Sequence, residues 1–114
     1  MAGLLTEATK DNFREFVAQG QVLVDVWGPQ CAPCIALMPD VEALAQSHPD
    51  VKFVKLDSSQ ARRLCIELRV MGLPAFLLFR DGREVARHAG QTVTAASLTQ
   101  WLDDTLALSG KEGN

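Results

Sequence analysis

The chain has 114 residues, 47% of them hydrophobic and 22% charged, which gives room for one ordinary domain and excludes a disordered tail, a collagen-like repeat and a disulfide-dense scaffold. Eleven basic residues against fourteen acidic leave a net charge of -3, and the basic side chains are scattered rather than gathered into the stripe that a nucleic-acid binder carries. No apolar run approaches the roughly 18 residues of a membrane span, so neither nucleic acid nor a membrane is expected as a partner.

In chain order, Phe13, Phe16 and Val17 recur at helical spacing after Thr9, which is expected to cap a first helix that Gly20 stops. Gln21 to Trp27 is rich in β-branched residues and apolar on both faces, the pattern of a central strand. From about Ala32 the period changes. Cys34, Leu37, Met38, Val41, Leu44 and Ala45 fall on one helical stripe, and Pro39 inside it is expected to kink that helix. His48-Pro49-Asp50 ends the helix, and Val51 to Leu56 reads as a second central strand. Asp57-Ser58-Ser59 offers caps for a short helix through Leu68, with Ala61, Leu64, Cys65 and Leu68 facing inward.

The turn Val70-Met71-Gly72-Leu73-Pro74 precedes an apolar strand. Phe76 to Arg80 and Arg83 to Arg87 then flank Asp81-Gly82, a dipeptide suited to the positive φ angles of a two-residue hairpin. Thr94 caps a last amphipathic helix bearing Leu98, Trp101, Leu102 and Leu106, and residues 109–114 read as a polar tail. Strand–helix–strand early and a hairpin late predict a mixed sheet with helices on both faces, an α/β sandwich forming one domain over residues 1–108.

The N-terminus, Met1-Ala2-Gly3-Leu4-Leu5-Thr6-Glu7, has no basic segment and no apolar run of signal-peptide length. A reducing, cytoplasmic compartment is therefore expected. Three cysteines allow at most one internal disulfide, which makes catalysis or metal binding a better use for them than structural stapling.

Cys31-Ala32-Pro33-Cys34 sits at a strand-to-helix junction. The unpaired N–H groups and positive dipole end of a helix start favour an anion there, hence a thiolate at Cys31, and the thiolate is the nucleophile. Cys34 lies one turn on, placed to resolve a mixed disulfide, and Pro33 fits a first helical turn, where its missing N–H costs nothing. As a staple, a four-residue ring would supply only roughly 2 kcal/mol. The other reading is a zinc half-site, which would need two further ligands. The soft side chains available are Cys65, His48 and His88, and none forms a second closely spaced pair. Both histidines are expected to be solvated, no metal is expected, and Cys65 is expected to be a buried small apolar residue.

The segment Val24-Asp25-Val26-Trp27-Gly28-Pro29-Gln30-Cys31-Ala32-Pro33-Cys34 resembles the active-site segment of thioredoxins. Phe53-Val54-Lys55-Leu56-Asp57, Gly72-Leu73-Pro74, Phe79-Arg80-Asp81-Gly82 and Gly90 follow in the same order, so that the resemblance covers about residues 4 to 108. It implies a thioredoxin-like sandwich with a four- to five-stranded mixed sheet, and reversible thiol–disulfide exchange with protein substrates. By the same resemblance Cys31 attacks a client disulfide and Cys34 releases the intermediate, while Asp25 is the buried acid that takes and returns the Cys34 proton. Lys55 lies beneath that acid and Trp27 packs behind the loop. Pro74 is the cis-proline facing the cysteines, and Gly72, Leu73 and Gly90 form the low apolar surface that receives the client. No bound cofactor is implied beyond the Cys31–Cys34 couple. Electrons are expected from a thioredoxin reductase, the partners are disulfide-containing proteins, and the chain is expected to be a monomer.

Three positions depart from the family pattern. Gln30 stands where a tryptophan is usual, Ala32 where glycine is, and Ile35 where lysine or arginine is. All three lie with Pro33 at the rim of the reactive thiol. Loss of the indole changes the contact surface, and loss of the cation removes a charge that favours the thiolate. The expected protein is an atypical thioredoxin that reduces a narrowed or shifted client set. The alternatives are a thiol donor dedicated to one enzyme and a binding module without turnover.

Overall fold

The computed structural model describes residues 4–112. Its Cα radius of gyration is 13.1 Å, as expected for one domain of this length. Five strands, β1 (Leu5–Ala8), β2 (Gln21–Trp27), β3 (Lys52–Asp57), β4 (Ala75–Arg80) and β5 (Arg83–Ala89), form one sheet in the order β1-β3-β2-β4-β5. β3 runs parallel to both β1 and β2, whereas β4 is antiparallel to β2 and to β5. The four helices are α1 (Phe13–Val17), α2 (Ala32–Ser47), α3 (Arg62–Glu67) and α4 (Ala95–Glu112). Among the described residues, no helix is long and apolar enough to cross a membrane.

Alternation along the central strands divides the interior in two. Val22, Val24 and Val26 of β2 join Phe13 and Val17 of α1, Leu64 and Cys65 of α3, and Leu68 just after it, on one face. Leu23 joins Leu37, Val41 and Leu44 of α2 and Leu98 and Leu102 of α4 on the other. Phe13 meets Phe79 edge-on, with ring centroids 5.6 Å apart, a favoured aromatic geometry. Both faces of β2 are thus buried, which is why its sequence is continuously apolar rather than alternating.

The mixed sheet and its helices on both faces agree with the sequence reading, and several local expectations change. β1 was not foreseen. Four residues with a single pair of inward side chains, Leu5 and Ala8, give too short a period to read. Thr9 does not begin α1. Its hydroxyl accepts the N–H groups of Asp11 and Asn12, and Asn12 Oδ1 accepts the Thr9 N–H at 2.6 Å, so a capped turn precedes a helix that starts at Phe13. The helix expected after Asp57 is divided. Asp57 caps a 3-10 turn over Ser58–Gln60, Ala61 leaves helical geometry, and α3 follows. α2 continues through Pro39 to Ser47.

The hairpin forms at Asp81-Gly82, with φ angles of 51° and 89°. The Asp81 carboxylate accepts the Gly20 N–H at 2.8 Å, which ties the hairpin to the end of α1. α4 is capped reciprocally: Thr94 Oγ1 accepts the Ser97 N–H and Ser97 Oγ accepts the Thr94 N–H. α4 runs to Glu112, past the start of the polar tail expected at 109; residues 113 and 114 of that tail lie outside the described residues.

Neither histidine is solvated as expected. His48 is half-buried at the end of α2, with Nε2 2.8 Å from an Asp103 carboxylate oxygen of α4 and Nδ1 2.9 Å from the Leu44 carbonyl. His88 stacks on Trp101, centroids 5.6 Å apart, and lies 3.0 Å from Ser97 Oγ. Packing of α4 onto α2 and β5 brings Asp103, Trp101 and Ser97 to the histidines from 9 to 55 residues away, a distance that local sequence does not reveal.

Candidate active site

β2 ends at Trp27 and the chain turns through Gly28-Pro29-Gln30 into α2. Cys31 is the N-cap of α2, with extended backbone angles, and its sulfur accepts the Cys34 N–H at 3.3 Å. A cysteine here fills the role that serine or aspartate usually fills at a helix start. The same N–H and the helix dipole stabilise a thiolate once the pair is reduced. Cys31 and Cys34 are joined by a disulfide, with their Cα atoms 5.3 Å apart. Cys31 is partly exposed, whereas Cys34 is buried. Only Cys31 therefore offers a sulfur to an incoming molecule. Among the described residues, no group of three or more His, Cys, Asp and Glu side chains is arranged to hold a metal ion.

Asp25 lies on the α2 side of β2, because Val24 and Val26 on either side of it belong to the opposite core and Leu23 belongs to this one. Cys34 heads the inward stripe of α2 that continues through Leu37 and Val41. Carboxyl and buried sulfur thus occupy the same side of the sheet. Asp25 is 1% exposed, the one charged side chain among the described residues in the core, and neither carboxylate oxygen has a hydrogen-bond partner there. Burial pushes its pKa up from the ordinary 3.8 to about 7, against the opposing pull of the Lys55 ammonium. Lys55 stands opposite Asp25 in register on β3 and opposite Glu7 on β1. Its Nζ lies 5.8 Å from the Trp27 ring centroid, near the outer reach of a cation–π contact. Trp27 is half-buried, and its Nε1 is enclosed without a partner among the described residues.

A second loop completes the site. The Leu73–Pro74 peptide is cis, and Pro74 leads into β4. The Pro74 carbonyl accepts the Gly90 N–H at 2.9 Å, so Gly90, at φ 115°, joins the end of β5 to the start of β4. The loop reaches the cysteines through Gly28. A Cβ at Gly28 would stand 3.2 Å from Leu73 Cδ1 and 3.2 Å from Ser58 Oγ, so the absent side chain is what lets the two loops abut. Sequence reasoning passed over Gly28, although a glycine wedged between Trp27 and Pro29 is the kind of signal that marks a close approach. Gly72 faces open space and keeps the rim low. Gln30, Ala32, Pro33 and Ile35 are all exposed around Cys31, Ile35 at 51%. Strand register brings the C-terminal ends of β2 and β3, the start of β4 and the end of β5 to one end of the sheet, and with them Asp25, Trp27, Lys55, the β2–α2 turn, the Pro74 loop and Gly90. Cys65, His48 and His88 lie apart from this group.

Cys65 is free and buried on the opposite face, among the residues that α3 packs against the sheet. Burial, and then the Asp57 charge, raise its pKa.

The family model for thioredoxin matches residues 5–104. A thioredoxin of Acetoanaerobium sticklandii is 41% identical over 95 residues, spanning 81% of this chain and 90% of that protein. One of Peptoclostridium acidaminophilum is 47% identical over 88 residues, 75% of this chain and 80% of that protein. Among solved structures, oxidised mitochondrial thioredoxin 3 of Saccharomyces cerevisiae superposes with a TM-score of 0.79 at 27% identity, covering 88% of this chain and 94% of that one.

Proposed function

Because the chain belongs to the thioredoxin family and is a protein thiol–disulfide oxidoreductase, we propose that it runs in the reducing direction, with Cys31 as the attacking thiolate and Cys34 as the resolving thiol. The observation that carries this assignment is the unequal exposure of the two sulfurs at one helix start: Cys31 partly open and capping α2, Cys34 buried. The thiolate of Cys31 attacks one sulfur of a client disulfide. That bond breaks, a Cys31–client bond forms, and the released client sulfur takes a proton. Cys34 then gives its proton to Asp25 and attacks Cys31; the Cys31–client bond breaks, the leaving client sulfur takes the proton back from Asp25, and the Cys31–Cys34 disulfide remains. Two electrons have passed to the client. An acid with a pKa of about 7 is suited to this exchange, since it gains and loses a proton near neutral pH.

An extended client lies along the main chain at Leu73, before Pro74, with Gly72 and Gly90 offering no obstructing side chain. Trp27 supports the loop from behind, and Lys55 tempers the charge on Asp25. Gln30, Ala32, Pro33 and Ile35 supply the contact rim. The family works with a redox-active cysteine pair and no prosthetic group. A thioredoxin reductase is the electron source that fits this pair, disulfide-containing proteins are its clients, and the cytoplasm, a reducing compartment, is the setting in which the dithiol persists.

Two measurements test the proposal. The reduction potential of the pair, equilibrated in dithiothreitol and glutathione buffers with mass-spectrometric readout, is expected near about -270 mV, and a value above roughly -200 mV would assign an oxidant or isomerase instead. Cys34→Ser is expected to trap clients on Cys31, and adducts mapped to any other cysteine would overturn the order of attack.

A further inference from the structure

We infer that Arg69 is a specificity-determining residue that favours disulfide clients carrying an acidic side chain close to the attacked cysteine. The inference rests on the proposed reading of Cys31 as nucleophile toward a client lying along Leu73. Arg69 follows α3 with φ 58°, one of two non-glycine residues with positive φ among the described residues. The Arg69 N–H bonds the Ile66 carbonyl and the Val70 N–H bonds the Cys65 carbonyl. This helix ending calls for a left-handed residue, usually glycine. A strained backbone bearing a long side chain points to a use for that side chain.

Arg69 lines a groove of about 250 Å³ with Met71, Gly72, Arg87, Ala89 and Gly90. The groove therefore runs along the surface that receives the client, beside the Pro74–Gly90 hydrogen bond. No carboxylate lines it. Its other cation is spent within the fold. Arg87 makes a two-pronged contact with Glu84, at 2.6 and 2.7 Å, and donates to the carbonyls of Leu68 and Arg69. Arg69 also borders a second depression that holds Glu67 and Glu84, and both of these acids have another cation: Glu67 faces Arg14 at 3.7 Å, and Glu84 is the acid held by Arg87. Among the described residues, no carboxylate pairs with the Arg69 guanidinium.

Charge elsewhere gives this cation its weight. The chain is net negative at -3, which repels acidic clients at a distance, and the rim position of Ile35 carries no cation. Arg69 supplies the positive charge that the rim beside Cys31 lacks, displaced to the other wall of the client groove. Met71, 93% exposed, lies two residues on and offers an apolar contact next to it. The chemistry that fits is an extended peptide with a carboxylate and an apolar side chain flanking its cysteine.

The test uses reduced full-length protein and synthetic peptides with one internal disulfide, bearing Glu, Gln or Lys next to the attacked cysteine or one position removed. For the wild type, kcat/KM for the Glu peptides is expected to exceed that for the Lys peptides by up to about fivefold, the scale of an exposed ion pair, and the ratio is expected to shrink with salt. In Arg69→Gly, whose new residue the left-handed backbone accepts, the ratio falls to one or below, since the net negative charge that remains disfavours the Glu peptides. In Arg69→Lys it survives in part. The ratio cancels any general change in turnover. A wild-type ratio of about one, or an undiminished ratio in Arg69→Gly, overturns the inference. Failure to reduce any of the peptides, the Gln set included, overturns the reading of Cys31 beneath it.

Discussion

Asp25 and Lys55 stand opposite each other in register on the parallel strands β2 and β3, the first sealed in the core and the second half-buried. The strand pairing places a cation beside the acid, and its pull on the carboxyl is weaker than the penalty of burial. The acid therefore ends up near neutrality, at about 7, rather than well below its ordinary range as a closely paired carboxylate would.

That balance makes stability depend on pH. With a folded pKa of about 7 against an ordinary 3.8, the unfolded chain ionises first as pH rises. Stability therefore falls between about pH 4 and pH 7 and stays lowered above that window. The penalty amounts to at most about 4 kcal/mol. Asp25→Asn is expected to be more stable than the wild type at pH 8 and nearly equal to it at pH 4, measured by urea unfolding at both values. An equal difference at the two pH values would show that Asp25 is not the titrating group.

Removing the opposing cation should act in the other direction. Lys55→Met is expected to move the Asp25 midpoint further up, followed by NMR of the carboxyl carbon in the reduced and oxidised forms. An unmoved midpoint would mean that Lys55 is screened from the acid.

Cys65 should behave as packing. Its burial and raised pKa both suppress the thiolate, so iodoacetamide is expected to label Cys31 in the reduced native protein and leave Cys65 untouched until denaturant is added. Cys65→Ala should destabilise by about 1 kcal/mol through lost contacts, and Cys65→Ser by more, because a hydroxyl is buried as well. Rapid native labelling of Cys65 would show that it is accessible and reactive rather than packing.

Arg69→Gly should stabilise the fold while it alters client preference. Relief of the left-handed strain, roughly 1–2 kcal/mol, exceeds the greater chain entropy that glycine brings to the unfolded state, about 0.4–1 kcal/mol. A net gain of up to about 1 kcal/mol, seen as a small rise in Tm, is expected. A lower Tm would show that the Arg69 side chain supports the fold. Arg87→Ala should do the opposite, because its guanidinium holds the Leu68 and Arg69 carbonyls just past the end of α3.

The rim substitutions bear on breadth of action. Gln30 and Ile35 are exposed beside Cys31, so Gln30→Trp with Ile35→Lys is expected to raise turnover of generic disulfides such as insulin severalfold, the cation by favouring the thiolate and the indole by adding contact area. No gain in insulin reduction would remove the rim as the explanation for a narrowed client set.

Much of the site was legible because its elements are local. The apolar run of β2, the stripe of α2 and the cysteine pair at their junction lie within 27 residues of one another, and the hairpin is announced by Asp81-Gly82. β1 was not, because a four-residue edge strand takes its definition from its pairing with β3. The positive φ at Arg69 was hidden for a related reason. The helix ending, not the residue type, imposes that conformation, and the usual marker, glycine, is missing.

The sequence by itself determined the alternation of strands and helices, the cysteine pair at a helix start and an acid inside an apolar strand, since each depends on periodicity or on chemistry at fixed short spacing. Tertiary structure alone decided what stands beside these groups. It set Lys55 against Asp25 across two strands, brought Leu73 to Gly28 where no side chain intervenes, engaged both histidines with α4, and left Arg69 unpaired by any carboxylate among the described residues on the groove that ends at Gly90. These contacts join segments far apart in the chain. Burial, pairing and charge at such meetings are set by packing, because the energy of each depends on its neighbours in space and not on its neighbours in sequence.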